Sequence, residues 1–319
     1  MRIAVTGSIA FDYLMQFDGK FQDHFLPDQL DKISVSFLVN SLRQERGGCA
    51  ANIAYSLALL GERPILVGSV GRDFTEYRRS LEAAGVDTSG AQTVEDEYTS
   101  SFFANTDRNG NQICSFYSGA MRFAKNISIA ALALVTKDMV VVSPNDPDAM
   151  VQIVEECRKT GIPYLFDPGQ QIVRLDGPTL VRCVKGAKLL ILNEYECGMF
   201  KKKAGLDDRG MTGLVPVLMI TLGENGSRIY TEGREIPIPI ARPARILDPT
   251  GVGDAFRSGL LKGLSHGLSW EIAGRMGSLA AAYVLETEGA QKHHYRLPEF
   301  VKRYESVFGK SEEIASLIS

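Results

Sequence analysis

Cysteine is scarce and scattered in this chain: five residues in 319, at positions 49, 114, 157, 183 and 197, with no Cys-x-x-Cys pair. That pattern excludes a disulfide framework and a Cys/His zinc site, and it suits reduced thiols packed as small apolar groups in a cytoplasmic protein. Histidine is rarer still, and the single adjacent pair, His293-His294, points to two different sides of any regular element. Surplus basic charge is missing: the net charge is -3, and no basic run exceeds Lys201-Lys202-Lys203, which excludes an overall pull towards nucleic acid. Long apolar runs are missing too. No stretch approaches the roughly 18–20 residues that cross a bilayer, and Asp12 interrupts the first fifteen, so neither a membrane span nor a signal peptide is expected. No Pro-, Gly- or Ser-rich linker and no internal repeat divides the sequence, so one domain over 1–319 is expected. Two nucleotide motifs are also absent. There is no Gly-x-x-x-x-Gly-Lys-Ser/Thr loop, and Gly7-Ser8-Ile9 is not the start of a dinucleotide-binding Gly-x-Gly-x-x-Gly.

What is present is an ordinary globular composition, 45% hydrophobic and 23% charged, arranged as alternating strand and helix signals. Ile3–Thr6, Ile65–Val67, Met139–Val142, Tyr164–Phe166, Leu189–Leu192 and Val217–Thr221 are short apolar runs that read as buried strands. Between them, Ala50–Leu60, Glu76–Ala84 and Ala149–Lys159 carry apolar residues at helical spacing. This rhythm predicts an α/β fold with a mostly parallel central sheet covered by helices on both faces. Two regions break it. Tyr98–Asn105 and Gln112–Tyr117 alternate around Asp107-Arg108-Asn109-Gly110, a strong hairpin signal, and Ile33–Val39 reads as a strand in an otherwise irregular stretch. The segments near 11–46 and 97–118 are therefore expected to form a small β lid. Lid-to-lid pairing would cover its exposed strands, which makes a homodimer an expectation.

The strongest chemical signal is Asp248-Pro249-Thr250-Gly251-Val252-Gly253-Asp254-Ala255-Phe256, followed by a helical apolar pattern from Ala255 to Leu264. Gly251 and Gly253 let successive N–H groups face one anion, and the helix that follows adds its positive N-terminal end. Asp254 then projects a carboxylate beside the phosphate cradle, where it would repel the ligand unless it takes part in the reaction. Phosphoryl transfer gives it that part, as the base that orients an acceptor hydroxyl and takes its proton.

This nine-residue stretch resembles the C-terminal signature of the ribokinase-like (PfkB) sugar and nucleoside kinases. Arg46-Gly47-Gly48-Cys49-Ala50-Ala51-Asn52 resembles their N-terminal signature, about 200 residues earlier. The resemblance implies a three-layer sandwich with a β lid, Gly251, Val252 and Gly253 as an anion hole, and Asp254 as the base. It further implies ATP as phosphoryl donor with Mg2+, Glu196 of Asn193-Glu194-Tyr195-Glu196 serving the metal and Asn193 lying near the phosphates. Asn-x-x-Glu is equally a helix capping box, and both readings stand at this point. Thr221, Gly223 and Gly226 of Thr221-Leu222-Gly223-Glu224-Asn225-Gly226 resemble the family's ATP-phosphate loop. Family members often respond to a monovalent cation held by backbone carbonyls. Such ligands leave no trace in a sequence, so that cation stays open.

For the acceptor, the resemblance narrows to the bacterial adenosine kinases, through residues 4–12, 34–39, 115–121 and 167–174. Adenosine phosphorylated to AMP at its 5′-hydroxyl is the expected reaction, with another nucleoside or a sugar such as ribose or fructose as the alternative. Asp12, Gly48 and Asn52 suit a ribose cis-diol, because a carboxylate and an amide match paired hydroxyls. The resemblance places Ser8 and Ser36 near the base, and Gln170, Gln171 and Arg174 near the nucleoside or the transferred phosphate. Gln170 and Arg174, four apart, would share one α-helical face. Phe102 and Phe116, on the two hairpin arms, could sandwich a flat base, a use for paired aromatics that a sugar does not offer. Packing of the lid is their other reading.

Overall fold

The computed structural model describes residues 1–25, 32 and 34–318. The main sheet contains β1 (Ile3–Thr6), β4 (Ile65–Gly71), β5 (Asp87–Val94), β8 (Met139–Val142), β9 (Tyr164–Phe166), β10 (Leu189–Asn193), β11 (Val217–Thr221), β12 (Ser227–Thr231) and β13 (Arg234–Ile238). Their order is β13-β12-β11-β10-β9-β8-β1-β4-β5. All neighbours run parallel except at one end, where β12 is antiparallel to both β11 and β13. Pro237 is tolerated in β13 because that strand is at the edge.

The side-chain alternation of the strands divides the core in two. Val5, Val141, Leu189, Ile191, Val217 and Met219 point to one face, where they meet helices α1 (Cys49–Leu59), α2 (Thr75–Ala84) and α7 (Val252–Ser265). Ala4, Val140, Val142, Leu190, Leu192 and Leu218 point to the other, against α3 (Pro147–Thr160), α4 (Gly177–Val184) and α5 (Glu194–Ala204). A strand buried on both faces has no polar row to show, which is why these runs are apolar throughout. The result is the three-layer sandwich that the alternation predicts. Helix α8 (Trp270–Leu285) packs on α7, and Gly259 and Gly263 let the backbones touch, since a Cβ on either would meet the α8 backbone at 2.4–2.7 Å.

A separate four-stranded sheet has the order β3-β2-β6-β7, from β2 (Ala10–Gln16), β3 (Ser41–Gly47), β6 (Ser100–Thr106) and β7 (Gln112–Tyr117). This is the expected small sheet, but one of its strands lies elsewhere than the sequence suggests. Residues 34–39 are irregular, and the strand is Ser41–Gly47; Ile33 and residues 26–31 of the predicted lid segment lie outside the described residues. The alternation through Phe37 has another cause. The Phe37 ring packs against Phe17, Phe21, His24 and Phe25, so its periodicity serves an aromatic cluster rather than a ladder. No helix among the described residues is long and apolar enough to cross a membrane.

Strand order reverses at β1, which has β8 on one side and β4 on the other. A crevice opens at such a switch point, outside the carboxyl ends of the strands. Gly7 and Ser8 leave β1 into it, Ser143 and Pro144 leave β8, and Asp167 leaves β9.

Candidate active site

Helix α7 begins at this crevice. Gly251 is its N-cap with φ +79°, and a Cβ there would lie 2.6 Å from Cβ of Ala290, so the turn requires glycine on two counts. Asp248 fastens the turn from below: Oδ1 accepts from the Thr250 N–H at 2.8 Å and Oδ2 from the Gly289 N–H at 2.9 Å. The N–H groups of the first helical turn have no acceptor within the helix, and that of Val252 makes only a long bond, 3.3 Å, to the Pro249 carbonyl ahead of it.

Asp254, in that first turn, is partly buried and accepts from Asn52 Nδ2 at 2.9 Å. This bond joins the two glycine-rich signatures, which lie 202 residues apart. Asn52 is itself held. Its Oδ1 accepts from Gln291 Nε2 at 2.8 Å; Gln291 also donates to the Tyr77 hydroxyl, which donates to the Gly47 carbonyl at 2.9 Å. Burial, with Asp167 and Asp12 nearby, pushes the Asp254 carboxyl up to about 6, against the opposing pull of Arg257 and the Asn52 bond.

Asp12 lies over the other turn. A Cβ on Gly47 would be 2.5 Å from its Oδ2, and Gly48, at φ +94°, passes so close to Ser8, Ile9 and Ala10 that a Cβ would meet their backbone at 2.6–2.7 Å. Burial pushes the Asp12 carboxyl up to about 6 as well, helped by Glu45 and Asp248. Ser8 Oγ accepts from the Cys49 N–H at 3.0 Å and so holds the start of α1 at the same place.

The register of the small sheet puts Glu45, Asp12, Phe102 and Phe116 in one row across its four strands. Phe102 and Phe116 are direct cross-strand partners. Opposed residues of an antiparallel pair point to the same face, so the two rings form one wall beside Asp12, not the two slices of a sandwich. Phe116 is 53% exposed, open to whatever enters.

Asn193 and Thr221 are paired across β10 and β11, next to the tight turn at Gly223–Asn225, so three of the four expected ATP-side positions adjoin. Gly226, at φ +83°, would meet the Ile238 carbonyl at 2.2 Å if it carried a Cβ. Asn193-x-x-Glu196 is a true capping box: Asn193 Oδ1 accepts from the Glu196 N–H and Glu196 Oε2 from the Asn193 N–H, both at 2.8 Å. Burial raises the Glu196 carboxyl, with Asp167 adding to the rise and Arg257 opposing it, so this carboxylate lies within reach of the charges around Asp254.

Not every expected residue converges. Gly169–Val173 is a 3-10 helix, so positions three apart eclipse and Arg174 lies over Gln171 rather than Gln170. Gln170 Nε2 approaches Cys49 Sγ at 3.9 Å, and the buried Gln171 has an Oε1 without a hydrogen-bond partner. Arg174 lines a groove with Asp148, Gln152, Asp176 and Arg182 between α3 and α4. Ser36 is exposed in the irregular 34–39 segment. Two groups that the sequence reading passed over lie at the centre. Gln291 has no motif to announce it. Arg257 had a signal, a charge on the apolar face of α7, where it is 9% exposed and paired with Asp167.

Comparison with known proteins gives one answer. The model of the pfkB family carbohydrate kinases matches residues 6–294. A nucleoside kinase of Methanothermobacter thermautotrophicus is 32% identical over 310 residues, 96% of either chain. The solved Burkholderia thailandensis nucleoside kinase in complex with inosine is 36% identical, with a TM-score of 0.86 over 97% of this chain and 98% of that one. The nucleoside kinase structure from Methanocaldococcus jannaschii, described as an archaeal member of the ribokinase family, is 27% identical with a TM-score of 0.85, covering 96% and 98%. With its two signatures joined at one hydrogen bond and its sequence matched from the first strand to beyond Gln291, the chain belongs to the pfkB family of carbohydrate kinases.

Proposed function

We propose that this protein transfers the γ-phosphoryl group of ATP to the 5′-hydroxyl of a nucleoside, with Asp254 as the base. The observation that carries this reading is the row Asp12–Phe102–Phe116, whose Asp12 is near enough to Asp254 to act on its carboxyl. A carboxylate able to take a ribose diol stands next to an aromatic wall able to stack a base. Strands lie about 4.8 Å apart, so the row runs on for about 10 Å past Asp12, more than a free sugar would use. The Methanothermobacter and Burkholderia relatives, both nucleoside kinases, support the same class, and the inosine complex favours a wider acceptor range than adenosine alone. The narrower expectation of adenosine thus gives way to nucleosides as a group, with adenosine and inosine both among them. Likeness to ribokinases at 19–23% identity is evidence of the fold only.

In the reaction the bond from the γ-phosphorus to its bridging oxygen breaks and a bond to the acceptor oxygen forms. The acceptor proton passes to Asp254, and ADP leaves. Asn52 holds Asp254 in place, and the N–H groups at Gly251, Val252 and Gly253 face the charge on the transferred group. Glu196 fits Mg2+. One of its oxygens serves the helix cap, and its burial beside Asp167 is a like-charge setting that a cation relieves. Such an ion would be bound mostly by water and phosphate and needs few protein ligands. Magnesium, when bound with ATP, neutralises phosphate oxygens.

The test is a panel of adenosine, inosine, guanosine, cytidine, ribose and fructose with ATP and Mg2+. At least one nucleoside should exceed both sugars in kcat/KM by about 100-fold, the order expected when a site built for a group must do without it. A preference for ribose or fructose would remove the nucleoside reading. Phe102→Ala should raise the nucleoside KM by about tenfold, from about 1–3 kcal/mol of lost stacking, and leave kcat within a few-fold. A collapsed kcat at constant KM would show that the ring serves the chemistry instead.

A further inference from the structure

The charges around Asp254 do not suit an anionic ligand. Asp12, Asp167 and Glu196 surround the same crevice, and ATP brings more negative charge. The cation that acts on both Asp254 and Glu196 is Arg257, three residues after Asp254 on α7. Its side chain is 11% exposed and that of Asp167 1%. Arg257 Nη2 donates to Asp167 Oδ1 at 2.7 Å, and Nε lies 2.5 Å from Oδ2 as an ion-pair contact without hydrogen-bond geometry. The carboxylate thus grips one edge of the guanidinium and turns the other edge outward. On that outer edge, Nη1 lies against Gly253: a Cβ there would be 2.7 Å from it. Gly253 is exposed and has no side chain, so nothing of this residue but its backbone covers Nη1.

We propose that Arg257 is a fixed cation of the anion hole, held by Asp167 so that Nη1 serves the phosphoryl group in transit. Backbone N–H groups supply dipoles there, and Arg257 supplies a full charge. Phosphoryl transfer spreads charge over three equatorial oxygens, and a guanidinium presented to that charge lowers the barrier where a ground-state contact would not. Asp167 is a positioning residue in this scheme. It fixes the fork at no cost in side-chain entropy when the ligand arrives. The glycine at 253 then has a reason beyond its backbone: any side chain there would cover the charge.

This inference rests on the reading of the Asp254 turn as the phosphoryl-transfer centre. Removing Arg257 alone would leave Asp167 buried and unpaired, so the decisive variant is the double substitution Arg257→Met with Asp167→Leu, which removes both charges together. Its kcat should fall about 10²–10³-fold, while the nucleoside KM stays within about threefold. The second readout is thermal stabilisation by ADP alone and by ADP with orthovanadate, a mimic of the group in transit. The variant should keep the first and lose the extra shift from vanadate. A merely structural pair would lower the melting temperature and leave that extra shift intact. A folded double variant with kcat within threefold of wild type and an intact vanadate shift would overturn the proposal. If the double variant does not fold, Arg257→Lys decides. It keeps a charge for Asp167 but has no second edge to offer at Gly253, so kcat should fall at least about tenfold and the vanadate shift should vanish. Full activity in that variant would overturn the proposal as well. Failure of the underlying reading looks different: wild type itself would then show no extra stabilisation by vanadate.

Discussion

Replacing Asp254 by Asn should lower kcat by about 10²–10⁴-fold, the usual contribution of a positioned base. The exchange is nearly isosteric, and an amide oxygen can still accept from Asn52, so the local structure has every reason to persist. Stability separates this reading from a structural one. The folded-state carboxyl is raised to about 6, so the native chain holds this proton more tightly than the unfolded chain does. Its stabilising contribution is therefore complete below the ordinary carboxylate range and is lost as pH rises through about 6. At neutral pH the wild type keeps a buried charge that the Asn variant lacks. The variant should melt at the same temperature or higher at pH 7.5, and that advantage should close below about pH 4. An Asp254 that only favoured a helix start would give the reverse, a less stable protein that still turns over. The wild-type kcat/KM should also fall below about pH 6 as the base takes up its proton, with Asp12 titrating in the same range and sharing the limb. Rates and melting curves of both proteins from pH 4 to 8 check all of this. An active, destabilised variant would end the mechanism.

Gly251→Ala should cost kcat about 100-fold, because the new methyl cannot be accommodated without moving the turn. It would meet Cβ of Ala290 at 2.6 Å and Cα at 3.1 Å, and displacement of donors by about 1 Å is enough for a loss of that size. The left-handed backbone adds roughly 1–2 kcal/mol of strain. Gly267→Ala supplies the control. That residue follows α7 at φ +71° with nothing within 4 Å of a Cβ, so it carries the backbone cost without the collision. Both variants should lose some stability, and only the first should lose activity. Equal activities would mean that the turn at Gly251 does not place the donors.

The strands that pass through the centre of the molecule were legible because burial on both faces leaves a continuous apolar run. Tyr164–Phe166 and Val217–Thr221 coincide with their expected limits for that reason. Ser41–Gly47 was not legible. Its sequence, Ser-Leu-Arg-Gln-Glu-Arg-Gly, is polar and mostly exposed, and only pairing with Ala10–Gln16 makes it a strand. Residues 34–39 show the opposite error, where an alternating pattern reflects one phenylalanine in an aromatic cluster. In the site, the glycine-rich turns and Asp254 could be read directly, because positive φ and close backbone contact leave few residues to choose from. Gln291 could not. It acts through Asn52, and a residue that only orients another needs no particular neighbours in the chain.

The register of the small sheet bears on the order in which the chain folds. Ala10–Gln16 pairs in parallel with Ser100–Thr106, which closes a loop of about 90 residues. Both β4 and β5 lie within that loop, and β4 pairs directly with β1, just ahead of Ala10. Contacts of such separation form slowly unless intervening structure has already brought their ends together. The large sheet should therefore assemble first and carry the two halves of the small sheet to each other. A chain caught between these stages would own the proposed ATP side, on β10, β11 and α7, before it owned the proposed place for the acceptor. Pulsed hydrogen exchange during refolding should show amides of β10 and β11 protected before those of β2 and β6. Simultaneous protection would mean that the two sheets form as one cooperative unit.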